Sequence, residues 1–218
     1  MNLIVHDVEA IVRKGLMYDS EIIEIAAIRV ELQNGALVIK DKFHSYVEPQ
    51  GVASIPVTTT KLTGITQEQV QKAGQFPEVI TKFREWLGRD EYYLCSWSLS
   101  DRDYFIADCR RHEISTDWIR NYNDIQRWFG KKFHLERRAG LKTAMEMLEL
   151  TAEGHAHSAM SDAYNTLQVL TRIYDPEDPI FTLEHNDCSG TYQLEVVYEE
   201  DFRNNPFAAL KDVLRLDS

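Results

Sequence analysis

The stretch "LIVHDVEA", residues 3–10, begins with an apolar run typical of a buried strand and ends with two acids. Asp7 and Glu9 are two positions apart, and alternate side chains of a strand point to the same face. Both carboxylates are therefore predicted to share one face of a sheet, where two like charges repel. A divalent cation between them would relieve that repulsion. For this pair alone, a solvated sheet edge is the alternative.

The segments that follow predict a sheet around this first strand. "EIIEIAAIRVEL" (21–32) and "ALVIKDKFHSYVEP" (36–49) are typical of a second and a third strand. The pair Asn34-Gly35 between them is a hairpin signal. "YYLCSW" (92–97) predicts a fourth strand after a helical region. Three strands in a meander, then helices and a further strand, indicate an α/β protein with a mixed sheet flanked by helices.

Apolar residues at helical spacing predict the remaining elements. The predicted helices are 66–74 starting at Thr66, 76–87 stopped by Gly88, 100–112, 123–130 ended by Gly130, 140–150, and a last helix from about Ser158 to Tyr174.

Composition and charge limit the class of protein. Hydrophobic content is 44% and the formal net charge is −11. No apolar run is long enough to cross a membrane, and we expect no membrane association. The acids near the N-terminus argue against a secretory signal. Three scattered cysteines are too few for a disulfide framework, so reduced thiols and a cytoplasmic location are expected.

A boundary is predicted at "DPEDP", residues 175–179, because two prolines interrupt the helical pattern. It divides the chain into a domain at 1–174 and an acidic extension at 175–218, which holds eleven acidic residues against three basic ones. The extension could mimic nucleic acid, recruit a basic protein partner, or pack on or beside the domain. The packed form is favoured, with strand character in "QLEVVY" and a short helix in "PFAALKDVL".

Three further residues could join Asp7 and Glu9. Asp101 follows the fourth strand at the mouth of a helix, where it could instead serve as an N-cap, and Asp103 competes with it. Five residues turn a helix by about 500°. His157 and Asp162 therefore converge on one site only if His157 lies in the loop and the helix begins after it.

The two histidines His155 and His157 have other interpretations. Either could be an ordinary polar loop residue. A His-x-His zinc pair is another possibility, but the sequence offers no third nitrogen or sulfur ligand at suitable spacing.

The order of these residues along the chain is specific. Asp-x-Glu at the first strand, an aspartate after a late strand, and His-x4-Asp at a last helix together resemble the DEDDh family of 3′–5′ exonucleases. The resemblance extends over residues 1–174 and is strongest to the KapD-like and histone-mRNA exonuclease branch. It identifies Asp101, rather than Asp103, as the third acid of the motif. The intervening segments that resemble the family are "EIIEIAAIRV", "FHSYVEP", "LTGITQEQV", "CSWSLSD", "RRAGLKTAMEMLEL" and "GHAHSAMSDAYNT".

The resemblance implies a ribonuclease-H-like exonuclease fold with a mixed five-stranded sheet. It implies two divalent ions, Mg²⁺ or Mn²⁺, held by four carboxylates, with a histidine as general base. These residues are Asp7, Glu9, Asp101, Asp162 and His157. The implied reaction releases nucleoside 5′-monophosphates from the 3′ end of a single strand, and RNA is slightly favoured over DNA.

The predicted substrate contacts depend on the resemblance and on one basic stretch of the sequence. The resemblance implies that Val8 and Ala10 lie at the terminal nucleotide and that Leu62 packs on its base, with a core position for Leu62 as the alternative. The basic stretch "GKKFHLERRAGLK" contains Arg138 and Lys142, which could follow a phosphate backbone or form a solvated helix face. Trp97 is predicted to be a core residue.

Two departures from the family pattern concern polar positions. The family has threonine after the glutamate of the first motif, whereas this chain has Ala10-Ile11, which weakens a polar contact to the terminal nucleotide. Ser161 stands where the family often has a first aspartate. These departures leave open an alternative function, a catalytically silent exonuclease fold that acts as a binding or regulatory module.

Overall fold

A five-stranded mixed sheet forms the centre of the molecule, as predicted. The computed structural model describes residues 2–13, 16–33 and 35–188. The strands are β1 Asn2–Arg13, β2 Leu16–Gln33, β3 Ala36–Tyr46, β4 Tyr92–Ser96 and β5 Tyr122–Asp124. Their order is β3-β2-β1-β4-β5, with β2 antiparallel to β1 and β3, and with β1, β4 and β5 parallel to one another. The strand that carries Asp7 and Glu9 is therefore central.

Seven helices are found in the described residues. They are α1 Val57–Thr63, α2 Gln67–Gln71, α3 Phe76–Leu87, α4 Ser100–Arg111, α5 Ile125–Lys132, α6 Leu141–Met147 and α7 Ala159–Ile173, followed by a 3-10 turn at Pro179–Phe181. No helix in this part of the chain is long and apolar enough to span a bilayer.

Side-chain alternation along β1 divides the core into two layers. Ile4 and Val8 belong to a layer with residues of α3 and α4, such as Phe83. Leu3 and Val5 point the other way, into a layer with residues of α5, α6 and α7. Asp7 and Glu9 continue the odd-numbered series and so lie on the α7 side of the sheet.

A β-bulge interrupts β2 beside the two acids. Glu9 pairs with Glu24, but the next pair is Ala10 with Ile22, so Ile23 is the extra residue. Ile23 O accepts from the backbone N of Val47 at 2.9 Å. Bulges of this kind re-aim side chains next to functional sites.

One helix and one strand were missed in the sequence analysis, and the end of another helix was placed wrongly. The segment now seen as α1 was not predicted, because its β-branched residues disfavour a helix. It forms between Pro56 and the left-handed Gly64, which has φ 74°. Helix α5 continues through Gly130 to Lys132, and the short strand β5 was missed.

The first residues of the predicted extension pack on the domain. Phe181 is buried against Trp128 with ring centroids 5.7 Å apart. The side chain of Asn186 accepts from Tyr122 N and donates to Tyr122 O, at 2.8 and 2.9 Å. The segments "QLEVVY" and "PFAALKDVL" lie outside the described residues. All three cysteines are buried free thiols.

Candidate active site

Asp7 and Glu9 lie in the middle of the central strand, just beyond the part of β1 that pairs with β4, and both are partly buried on one face. Val8, between them, points into the opposite core layer, where its side chain is buried. The part of Val8 nearest the site is its backbone N, which donates to Asp101 Oδ1 at 3.1 Å. This bond joins β1 to the helix that carries the third acid.

Asp101 lies in the first turn of α4 and is buried. It is not the N-cap, because that position is Leu99. Asp103 is paired with Arg102, whose Nη2 lies 2.8 Å from Asp103 Oδ1. The structure thus directs Asp101, rather than Asp103, toward the first pair.

His157 and Asp162 converge in the way that the spacing required. His157 lies in the loop with a positive φ of 63°, and α7 begins two residues later at Ala159. The backbone N of His157 donates to Asp162 Oδ2 at 2.9 Å. Ligand atoms of Glu9, His157 and Asp162 all lie within 4.8 Å of one another. Among the described residues His155 does not belong to this group, which removes the support for a His-x-His zinc pair.

The clustered carboxylates disfavour one another's charged forms. Burial, followed by the charges of Asp162, Glu24 and Asp101, raises the pKa of Glu9 to about 8. Burial raises the pKa of Asp101 to about 7, against the bond from Val8 N. A cluster of buried acids with raised pKa values and a nearby imidazole fits a divalent cation, which would stabilise the ionised forms.

The pKa values of Asp7 and Asp162 rise in the same direction. Burial is the largest cause for Asp7, followed by the charges of Asp101 and Glu9. For Asp162, burial is partly offset by the bond from the backbone N of His157. The four acids therefore behave as one electrostatic unit.

A fifth carboxylate at the site, Glu24, was missed by the sequence analysis. It lies directly across from Glu9 on β2 and is almost fully buried. Its position in the apolar run "EIIEIAAIRV" was the available signal, because a charged residue inside a buried strand requires a partner.

The predicted substrate residues have different surroundings. Leu62 is partly buried on α1, and Ala10 is partly buried on β1. Arg138 Nη1 donates to Asp124 Oδ2 and Gln126 Oε1, both at 3.1 Å, so its guanidinium is engaged within the protein. Lys142 is highly exposed on α6, 3.9 Å from Glu146. Trp97 is a core residue, as predicted.

Similarity to solved structures shows a shared fold. The nuclease domain of 3′hExo, a DEDDh family member solved with bound rAMP, superposes with a TM-score of 0.71 at 24% identity, over 78% of this chain and 90% of that one. E. coli exonuclease I in complex with a dT13 oligonucleotide superposes with a TM-score of 0.63 at 15% identity, over 78% of this chain and 41% of that one.

Proteins similar in sequence to this chain are also named as exonucleases that act on RNA. ERI1 exoribonuclease 2 of Danio rerio is 30% identical over 175 residues, and 3′-5′ exoribonuclease 1 of Mus musculus is 29% identical over 164 residues. Each match covers 70% of this chain but only 31% and 46%, respectively, of the relative's own length.

A family model described as "Exonuclease" matches residues 4–170. This range contains the whole sheet, the four acids and the loop histidine. The chain therefore belongs to the exonuclease family and has the ribonuclease-H-like fold of its DEDDh members.

Proposed function

We propose that the chain is a metal-dependent 3′–5′ exonuclease that releases nucleoside 5′-monophosphates from the 3′ ends of single-stranded nucleic acid, preferably RNA. The observation that carries the proposal is the convergence of Asp7, Glu9, Asp101, Asp162 and His157 at the middle of the central strand. These residues come from three separate elements and one loop, so their convergence is a property of the fold and not of local sequence.

The donor set favours Mg²⁺ or Mn²⁺, since hard cations prefer carboxylate oxygens. Asp7, Glu9, Asp101 and Asp162 would hold two such ions, which supply stabilisation of the negative charge on the attacking and leaving oxygens of the phosphodiester. The raised pKa values of these acids support the assignment, because burial and the neighbouring carboxylates disfavour their charged forms and a bound cation would stabilise them.

His157 is the proposed general base. Its side chain is exposed at the site, beside Glu9 and Asp162. In the proposed reaction the imidazole takes a proton from the attacking water as the water oxygen bonds to phosphorus. The bond from phosphorus to the 3′ oxygen of the preceding nucleotide breaks, and this oxygen takes a proton from water, so the shortened strand keeps a 3′-hydroxyl. The bond from His157 N to Asp162 keeps the base and this acid in a fixed relation.

The preference for RNA draws on the two relatives described above, both of which are named as exoribonucleases. A solved neighbour is described as recognising the 3′ end of a histone mRNA stem-loop. Choice between RNA and DNA depends on contacts to the 2′-hydroxyl.

The test is incubation with 5′-labelled single-stranded RNA and DNA, with Mg²⁺ or Mn²⁺ and then with excess EDTA. We expect a ladder that shortens from the 3′ end, faster on RNA, and that disappears with EDTA. Asp7→Asn keeps the size of the side chain and is expected to lower the rate at least a thousandfold. Binding of both polymers without cleavage under either metal would overturn the proposal and favour the silent binding module.

A further inference from the structure

Glu24 is a buried carboxylate with two specific partners. It lies on β2, where it pairs across the strands with Glu9, and its side chain is only 2% exposed. A buried carboxylate is strongly unfavourable unless both oxygens are engaged. The identity of its partners therefore indicates what it does.

The first partner is the beginning of the helix that carries Asp162. Ser158 is the N-cap of α7, but its hydroxyl makes no capping bond. The backbone N of Ala159 donates instead to Glu24 Oε2 at 2.9 Å, although the two residues are 135 positions apart. A carboxylate at this place satisfies a free helix N–H and interacts favourably with the positive end of the helix dipole.

The second partner is His44 on the neighbouring strand β3. Its Nε2 lies 2.7 Å from Glu24 Oε1, and its side chain is 38% exposed. The rings of His44 and Tyr46 pack in a T-shaped arrangement, with centroids 5.1 Å apart. Both oxygens of Glu24 are thus engaged, one by the helix and one by an imidazole at the protein surface.

We propose that Glu24 and His44 form a positioning pair that anchors the first turn of α7 to the sheet. Because His157 precedes Ala159 by two residues and Asp162 follows it by three, the anchor sets both of them against Glu9. Glu24 acts through this hydrogen bond and is not a ligand of the metal. The inference rests on the proposed exonuclease function for its kinetic consequences, but the anchor itself does not depend on activity.

The test compares Glu24→Ala, Glu24→Gln and His44→Ala with a matched control, Glu21→Ala. Glu21 is also a buried glutamate on β2, and its Oε2 accepts from the backbone N atoms of Gln50 and Gly51 at 2.7 and 2.8 Å. Amide hydrogen exchange of residues 158–163 is measured without substrate. kcat and KM are measured on single-stranded RNA with Mn²⁺, and Mn²⁺ affinity is measured by calorimetry.

In Glu24→Ala we expect exchange in the first turn of α7 to rise about tenfold or more. We expect kcat to fall about 10- to 100-fold, with KM changed less than about threefold, because the reacting groups are displaced while the rest of the substrate is still bound. Glu24→Gln keeps an acceptor oxygen for Ala159 and is expected to restore both readouts to within about fivefold. His44→Ala should give a smaller change in the same direction. Glu21→Ala should leave exchange in α7 unchanged.

Unchanged exchange at 158–163 in both Glu24→Ala and His44→Ala would overturn the anchor. Equal loss of kcat and of Mn²⁺ affinity in Glu24→Gln and Glu24→Ala would also overturn the proposal, because it would assign the negative charge itself to metal binding. If Glu24→Ala does not fold, unchanged exchange at 158–163 in His44→Ala overturns the anchor by itself. A wild-type protein that cleaves nothing would refute the exonuclease function, whereas the exchange data would still test the anchor.

Discussion

Replacing Glu9 by glutamine should abolish catalysis and yet stabilise the metal-free protein at alkaline pH. Burial, followed by the charges of Asp162, Glu24 and Asp101, raises the pKa of Glu9 from 4.5 to about 8. At a pH between these two pKa values, Glu9 keeps a proton in the folded protein that it has lost in the unfolded chain. The stability that Glu9 contributes therefore falls as the pH rises toward 8. Glutamine has no such proton, and the variant does not suffer that loss.

The size of the effect follows from the shift. At 1.36 kcal/mol per pKa unit, a change from 4.5 to about 8 corresponds to an upper limit of about 4 kcal/mol at pH 8. Water that reaches Glu9 reduces both the cost of burying its charge and the repulsion from the other acids, so we expect a gain of about 1–3 kcal/mol for Glu9→Gln. At pH 5, where folded Glu9 is protonated, the difference should be less than about 1 kcal/mol.

The assay is urea unfolding in EDTA at pH 5 and pH 8, for the wild type, Glu9→Gln and the control Glu177→Gln. Glu177 is exposed beyond α7, and its replacement should leave the midpoint unchanged at both pH values. Added Mn²⁺ should stabilise the wild type more than Glu9→Gln, because only the former keeps all four carboxylates. If Glu9→Gln were less stable than the wild type at pH 8 in EDTA, or if its advantage were equal at both pH values, the electrostatic reasoning would fail.

His157→Ala should lower kcat about 10²- to 10⁴-fold, whereas the affinity for a labelled 3′ end, measured by fluorescence polarisation, should stay within threefold. A retained kcat would exclude His157 as the general base. Arg138→Ala should lower the melting temperature with little change in KM, because its guanidinium is engaged within the protein, and a large rise in KM with normal stability would contradict this. Lys142→Ala should raise KM and reduce the salt dependence of binding without a loss of stability, as measured by titration in KCl. Gly154→Ala should lower the free energy of unfolding by about 1–2 kcal/mol and lower kcat, because the residue has φ 71° and a Cβ would clash with the Ser161 hydroxyl. An unchanged melting temperature and kcat would show that the loop adjusts freely.

The sequence was most informative where local pattern and chemistry coincide. Asp7 and Glu9 could be assigned to one strand face because the period of a strand is two, and this required no knowledge of the rest of the fold. His157 and Asp162 could be placed because their spacing excludes a shared helix face, so the histidine had to lie in the loop. Asp101 was separated from Asp103 only by the family resemblance.

Residues that depend on distant partners escaped prediction. Glu24 caps α7 across 135 positions, and no local pattern reveals a bond of that kind. Helix α1 forms against its own β-branched composition because Pro56 and Gly64 define its ends and because packing outweighs propensity. The three-residue strand β5 exists through pairing with β4, which a single segment cannot show.

The Asn186 amide that bonds to both backbone groups of Tyr122 has a consequence for truncated forms of the protein. Next to β5, Arg120 forms an antiparallel β-bridge with Asp187, and Ile119 O accepts from Cys188 N. The outer edge of β5 is therefore covered by the chain that follows. A protein shortened before residue 184 would expose those N–H and C=O groups and could add strands from other molecules, which is a route to aggregation. Soluble truncated proteins should therefore retain Cys188.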